Sequence, residues 1–193
     1  KSENTFKEIR TATVDLIIPI SYTTLRVHLT NATKANMELA IEFWKIWFMK
    51  AHIAFSSCSY PFSGAEKLED RLRAEMCQKE GIKPIIAKSM INSIDEATNI
   101  RDALNVLGIY PKCILIITGE LHSPSARYIW KKVFPEAQIL IMCIPCELEV
   151  QIDHLVPDQR VMWKWVMSNI TRQIALRSLP LSWVRKIQHK PAS

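Results

Sequence analysis

The 193-residue chain, with 48% apolar and 23% charged side chains, is long enough to bury one sizeable core and too apolar to be disordered or fibrous. Its net charge of +6 is unevenly spread: residues 1–157 carry 18 basic and 18 acidic side chains, whereas residues 158–193 carry seven basic ones against Asp158 alone. That asymmetry excludes a domain coated in nucleic acid and points to a local surface for an acidic partner.

The five cysteines are an odd number and need no disulfide framework, which predicts a reducing, cytoplasmic setting; the basic, Trp183-containing end separately suggests association with a membrane. The longest apolar stretches, Cys113 to Thr118 and Ala137 to Cys146, fall short of the ~20 residues of a spanning helix. The chain opens on Lys1 rather than a methionine, which leaves room for an upstream segment.

Residues 1–12 read as an N-terminal extension. Residues 14–21 form the first apolar run expected to be a buried strand, and 33–50 follow as a helix with Met37, Ile41, Trp44 and Phe48 on one side. A second strand over 52–58 leads to a helix over 65–80 carrying Leu68, Leu72 and Met76. The third strand, 84–88, leads to a helix opened by an expected capping box, Ser93 with Glu96 three residues on. Strands four and five are expected over 113–118 and 138–143, with a helix started by Pro124 between them. Gly81 and Gly108 stand where left-handed helix ends precede strands. The last helix, 158–177, is expected to bury Met162, Val166, Ile170 and Ile174 and to turn Arg160, Lys164 and Arg172 outward. Pro180 ends it, and 179–193 form a basic tail containing Trp183.

Short continuous apolar runs alternating with longer helical segments predict a Rossmann-like α/β fold. It has a doubly wound, mainly parallel five-stranded sheet with helices on both faces, and residues 13–178 make a single domain. Ligands of such sheets bind where loops leave the carboxyl ends of the strands. Those loops hold Ser21, then Ser57 and Gly64, then Asn92, Ser93 and Asp95, and finally Gly119-Glu120-Leu121-His122-Ser123-Pro124-Ser125-Ala126-Arg127. Helix N-termini pointing into the same crevice favour an anion.

His122 is the expected general acid or base, with Glu120 to orient it and Arg127 to clamp an anionic group. The competing reading makes His122 and Ser123 helix caps and Arg127 a solvated side chain. Neither the dinucleotide fingerprint nor the Walker phosphate loop is present, so no nucleotide cofactor is assigned. Cys143 and Cys146 have the spacing of a redox pair or half a zinc site, but only His154 adds to them, and no metal site is assigned. No serine-hydrolase elbow is present.

Asn92-Ser93-Ile94-Asp95-Glu96-Ala97 opening a helix, and Gly119-Glu120-Leu121-His122-Ser123-Pro124 after strand four, resemble the YdcF-like family that includes the SanA and ElyC envelope proteins. The resemblance runs from Asp15 to about Ile174. It implies a Rossmann-like domain, a small nucleotide-like or phosphorylated ligand, and a link to the cell envelope, with His122, Asn92, Ser93 and Asp95 at the site. The arginine that the family places three residues after its histidine falls on Ser125, and Arg127 lies two further on. The expected partners are a small anionic molecule and an anionic membrane surface met by the tail. Nucleic acid is disfavoured. A non-catalytic binding module is the alternative to an enzyme.

Overall fold

The computed structural model describes residues 2–60 and 62–188. Its elements run α1 (Ser2–Thr11), β1 (Leu16–Pro19), α2 (Asn31–Ile46), β2 (His52–Phe55), α3 (Ala65–Gln78), β3 (Ile85–Ile86), α4 (Ser93–Val106), β4 (Cys113–Gly119), α5 (Ser123–Val133), β5 (Gln138–Ile144), α6 (Met162–Ser178) and α7 (Leu181–Gln188). Two 3₁₀ turns, Cys146–Glu149 and Pro157–Arg160, join β5 to α6.

All five strands are parallel, in the order β3-β2-β1-β4-β5. The central strands β1 and β4 pair from Leu16 with Ile114 to Pro19 with Ile117, and every residue of both is buried. Burial on both faces explains why these strands read as unbroken apolar runs without alternation. α1, α2 and α3 cover one face, while α4 and α5 cover the other, with α6 and α7 outside them. This is the doubly wound α/β arrangement expected from the sequence. Gly81 and Gly108 take φ of 71° and 70° at the helix ends, also as expected.

The sequence places three segments differently. In the expected N-terminal extension, α1 sends Ile9 into the core at 0% exposure, and Phe6 packs on Phe43 of α2 and on Trp47 just beyond it. Residues 181–188 of the expected tail form α7, which buries Val184 and joins α4 through Arg185 Nε to Asp95 Oδ1 at 2.6 Å.

The third difference concerns α6. Met162, Ile170 and Ile174, expected inside, are exposed, and Val166 is only half-buried. Trp165, Asn169 and Leu176 are the buried residues. Trp163, Met167, Ile170 and Ile174 have the same spacing as Trp165, Asn169, Arg172 and Leu176, on the opposite side of the helix. Apolar periodicity selects Met162, Val166, Ile170 and Ile174, which overlap the first stripe; the structure turns in the second, because polar groups at the sheet edge bind Trp165 and Arg172.

Candidate functional site

The strand order reverses between β1 and β4, since the chain leaves β3 on one flank and returns to the other side of β1. The loops after these two strands therefore part and leave a crevice at the carboxyl edge, the position where open α/β sheets bind ligands. Ser21, Tyr22 and Thr23 come from the first loop and His122 from the second.

The first loop is held from below by buried ionisable side chains. Ser21 N–H donates to Glu96 Oε1 at 3.1 Å, and Arg73, fully buried, donates to Glu69 Oε1 at 3.0 Å and to the carbonyl of Pro19. Burial holds the Glu96 carboxyl up at about 8 despite the nearby Arg73, so it carries a proton at neutral pH. Thr23 takes φ of 63°, in the left-handed region that a β-branched residue avoids. It is kept there by bonds from its Oγ1 to Tyr60 O at 2.6 Å and from its N–H to Ser21 Oγ at 3.0 Å. Such strain persists only where surrounding contacts over-determine the conformation.

α4 is capped one residue earlier than its sequence suggests. Asn92 Oδ1 accepts from the N–H groups of Ile94 and Asp95, both at 3.0 Å, and Asn92 Nδ2 donates to Asp95 Oδ2 at 2.9 Å. The expected Ser93–Glu96 box therefore does not form. Asn92 and Asp95 take that part, Glu96 turns inward, and Ser93 is freed to line the crevice.

His122 lies across from it. The imidazole is 3% exposed, with Nε2 at 3.2 Å from Ser93 Oγ and Nδ1 at 3.1 Å from Arg172 Nη1. A guanidinium only donates, so Nδ1 must accept; the ring proton then sits on Nε2 and is donated to Ser93 Oγ. Burial first, and the Arg172 charge second, push the imidazole down to about 3. His122 is thus neutral at physiological pH, with both nitrogens engaged. Its side chain makes no capping bond to α5.

Arg172 is brought in by α6 and lies over the Trp165 ring at 5.6 Å. Trp165 is fixed in turn by a buried carboxylate. Glu149 Oε2 accepts from Trp165 Nε1 and from Tyr22 Oη, each at 3.0 Å, while Oε1 accepts from Leu121 N–H at 2.8 Å. Glu149 sits so close to Gly119 that a Cβ there would lie 1.9 Å from its Cδ. Glu149 thereby ties the β1 loop, the β4 loop and α6 together. His154 adds a second tie, with Nε2 donating to Tyr22 O at 3.1 Å and Nδ1 accepting from Val156 N–H at 2.9 Å.

These residues enclose a cleft of about 260 Å³. Ser93, His122 and Arg172 form its polar end, and Tyr60, Ile91 and Val156 give it apolar wall. Of the residues singled out from sequence, Ser21, Asn92, Ser93 and His122 line it. Asp95 stands behind as the partner of Asn92 and Arg185, and Gly119 is the opening for Glu149.

The other expectations are corrected. Glu120 is exposed and makes no hydrogen bond to His122, whose orientation comes from Ser93 and Arg172. Arg127 projects from α5 toward β5 and donates to Ile139 O at 3.2 Å, so the cation at the cleft is Arg172 instead. Ser57 is buried below the loop beside Asp70, and Gly64 caps α3 at φ 85°; neither lines the cleft.

Burial pushes the Cys58 thiol, which does line it, up to about 12, far from a reactive thiolate. All five cysteines are free thiols, and no cluster of three or more metal-ligating side chains occurs among the described residues. Comparison with protein-family models, curated proteins and solved structures finds no match.

Proposed function

We propose that the cleft binds a small anionic molecule, phosphorylated or nucleotide-like, with its charged group between Arg172 and Ser93. The observation that carries this reading is Arg172 itself. It is a half-buried guanidinium with no carboxylate within salt-bridge distance among the described residues, its cleft-facing partner being a neutral imidazole. Burial disfavours its charge, with Asp158 and Glu149 acting on it only from beyond ion-pair distance, and an anionic ligand in direct contact relieves that cost.

Ser93 adds a directed donor, because its oxygen accepts from His122 and leaves its own proton for the ligand. The apolar wall suits a modest organic portion, and the volume lies just below the usual range for ligand pockets. The two segments behind the YdcF-like resemblance meet where Ser93 faces His122 at 3.2 Å, which supports membership of that family.

The engaged nitrogens of His122 favour ligand binding over proton abstraction. An imidazole whose Nε2 already bears the proton cannot take one from Ser93 without a tautomer exchange that would aim Nδ1–H at Arg172.

The test is thermal melting with inorganic phosphate, nucleoside phosphates and sugar phosphates. A ligand at a hundred times its Kd adds about 2.7 kcal/mol and raises Tm by roughly 5–10 °C. Arg172→Ala should abolish the rise. An equal rise in wild type and variant would overturn the reading.

A further inference from the structure

We infer that the outer stripe of α6, together with α7, is a docking face for an anionic lipid surface. Trp163, Met167, Ile170 and Ile174 recur at spacings of four, three and four residues. They are exposed by 64%, 52%, 44% and 60%. One helical face therefore presents a tryptophan, a methionine and two isoleucines to solvent, while the opposite face supplies Trp165 and Arg172 to the cleft. Trp183, 61% exposed, adds a second solvent-facing indole on α7, the helix that packs on α6. Isolated exposed apolar side chains need no explanation, but a contiguous stripe along a helix does.

Charge decides the occupant. Residues 162–188 contain no Asp or Glu. Arg172 is turned to His122 and Arg185 is paired with Asp95, which leaves Lys164, Arg177 and Lys186 exposed around the apolar stripe. A second copy of the chain would bring Lys164, Arg177 and Lys186 against an identical basic rim, with only Asp158, beside Trp163 and Lys164, as an acidic group at the patch among the described residues. An apolar stripe flanked by basic side chains and tryptophans matches an interface where acyl chains lie beneath anionic headgroups. α6 lies along that surface and does not cross it: no helix among the described residues is long and apolar enough to span a membrane. The inference stands independently of the ligand in the cleft.

The experiment is co-flotation of the full chain with vesicles of equimolar phosphatidylserine and phosphatidylcholine, and with vesicles of phosphatidylcholine alone. Binding to the anionic vesicles, weakened by added salt, is expected. Ile170→Ser with Ile174→Ser should weaken it at least tenfold and leave the melting curve unchanged, since both side chains are exposed. Lys164→Gln should weaken it about fivefold, from the roughly 1 kcal/mol of one basic side chain at an anionic surface. Undiminished flotation of the Ile170→Ser, Ile174→Ser variant would overturn the inference. So would equal binding to phosphatidylcholine alone, concentration-dependent dimers dissolved by the same variant, or its loss of binding to polynucleotide in place of lipid.

Discussion

Arg172 Nη1 donates to His122 Nδ1 across 3.1 Å, so the charged partner of this histidine is a cation and not a carboxylate. A carboxylate would raise the imidazole and prepare it as a base; burial, and the guanidinium second, hold it neutral as a donor through Nε2.

Removing that charge should be visible directly. In Arg172→Ala the His122 midpoint, held at about 3, should move upward while staying below the ordinary histidine value, because burial remains. Histidine-resolved NMR titration reads this. An unmoved midpoint would mean that Arg172 does not act on the ring.

Stability should respond to pH with two opposed signs. His122 is depressed in the folded state, so the unfolded chain binds the proton first; stability falls as pH drops from about 6.5 toward 3, by up to about 1.4 kcal/mol per pH unit. Glu96 is raised to about 8, so the folded chain keeps a proton that the unfolded one has lost, and stability falls as pH rises from about 4.5 to 8. Glu96→Gln should remove the decline on the alkaline side, making the variant gain on the wild type between about pH 6 and 8 in urea melts. A constant difference between the two proteins would contradict the assigned proton.

The cap of α4 separates two neighbouring polar residues. Asn92→Ala should cost about 1–2 kcal/mol, because two N–H groups lose their acceptor. Ser93→Ala should change stability by less than about 1 kcal/mol and instead weaken phosphate-dependent stabilisation. The reverse pattern would return the cap to Ser93.

Gly119→Ala should destabilise by roughly 3 kcal/mol, since the new methyl group displaces the Glu149 carboxylate that holds Tyr22, Leu121 and Trp165. Near-UV circular dichroism should report the loosened Trp165. A native spectrum with unchanged stability would show that Glu149 can retreat freely.

The sheet was legible because β1, β4 and their neighbours are buried on both faces, a condition that leaves its mark as short unbroken apolar runs. His122 and Ser93 were legible because they follow a strand end and open a helix. Arg172 was not: it lies 50 positions beyond His122, and its stripe on α6 competes with a more apolar one of equal spacing. Glu149 left a signal only in the glycine it crowds, since Gly119 gives no hint of which distant side chain fills its space. Asn92 was within reach as a cap, but Ser93 and Glu96 offered the same pattern one residue later.

The ion pair between Arg185 and Asp95 joins α4 to a segment made 90 residues later. The last strand among the described residues ends at Ile144, so every strand of the sheet is synthesised before Glu149, His154, Arg172 and Arg185. The crevice is thus completed by segments made after all the strands. A nascent or proteolytically shortened chain lacking α6 and α7 would retain its strands while missing the cation at the cleft and the clasp on α4.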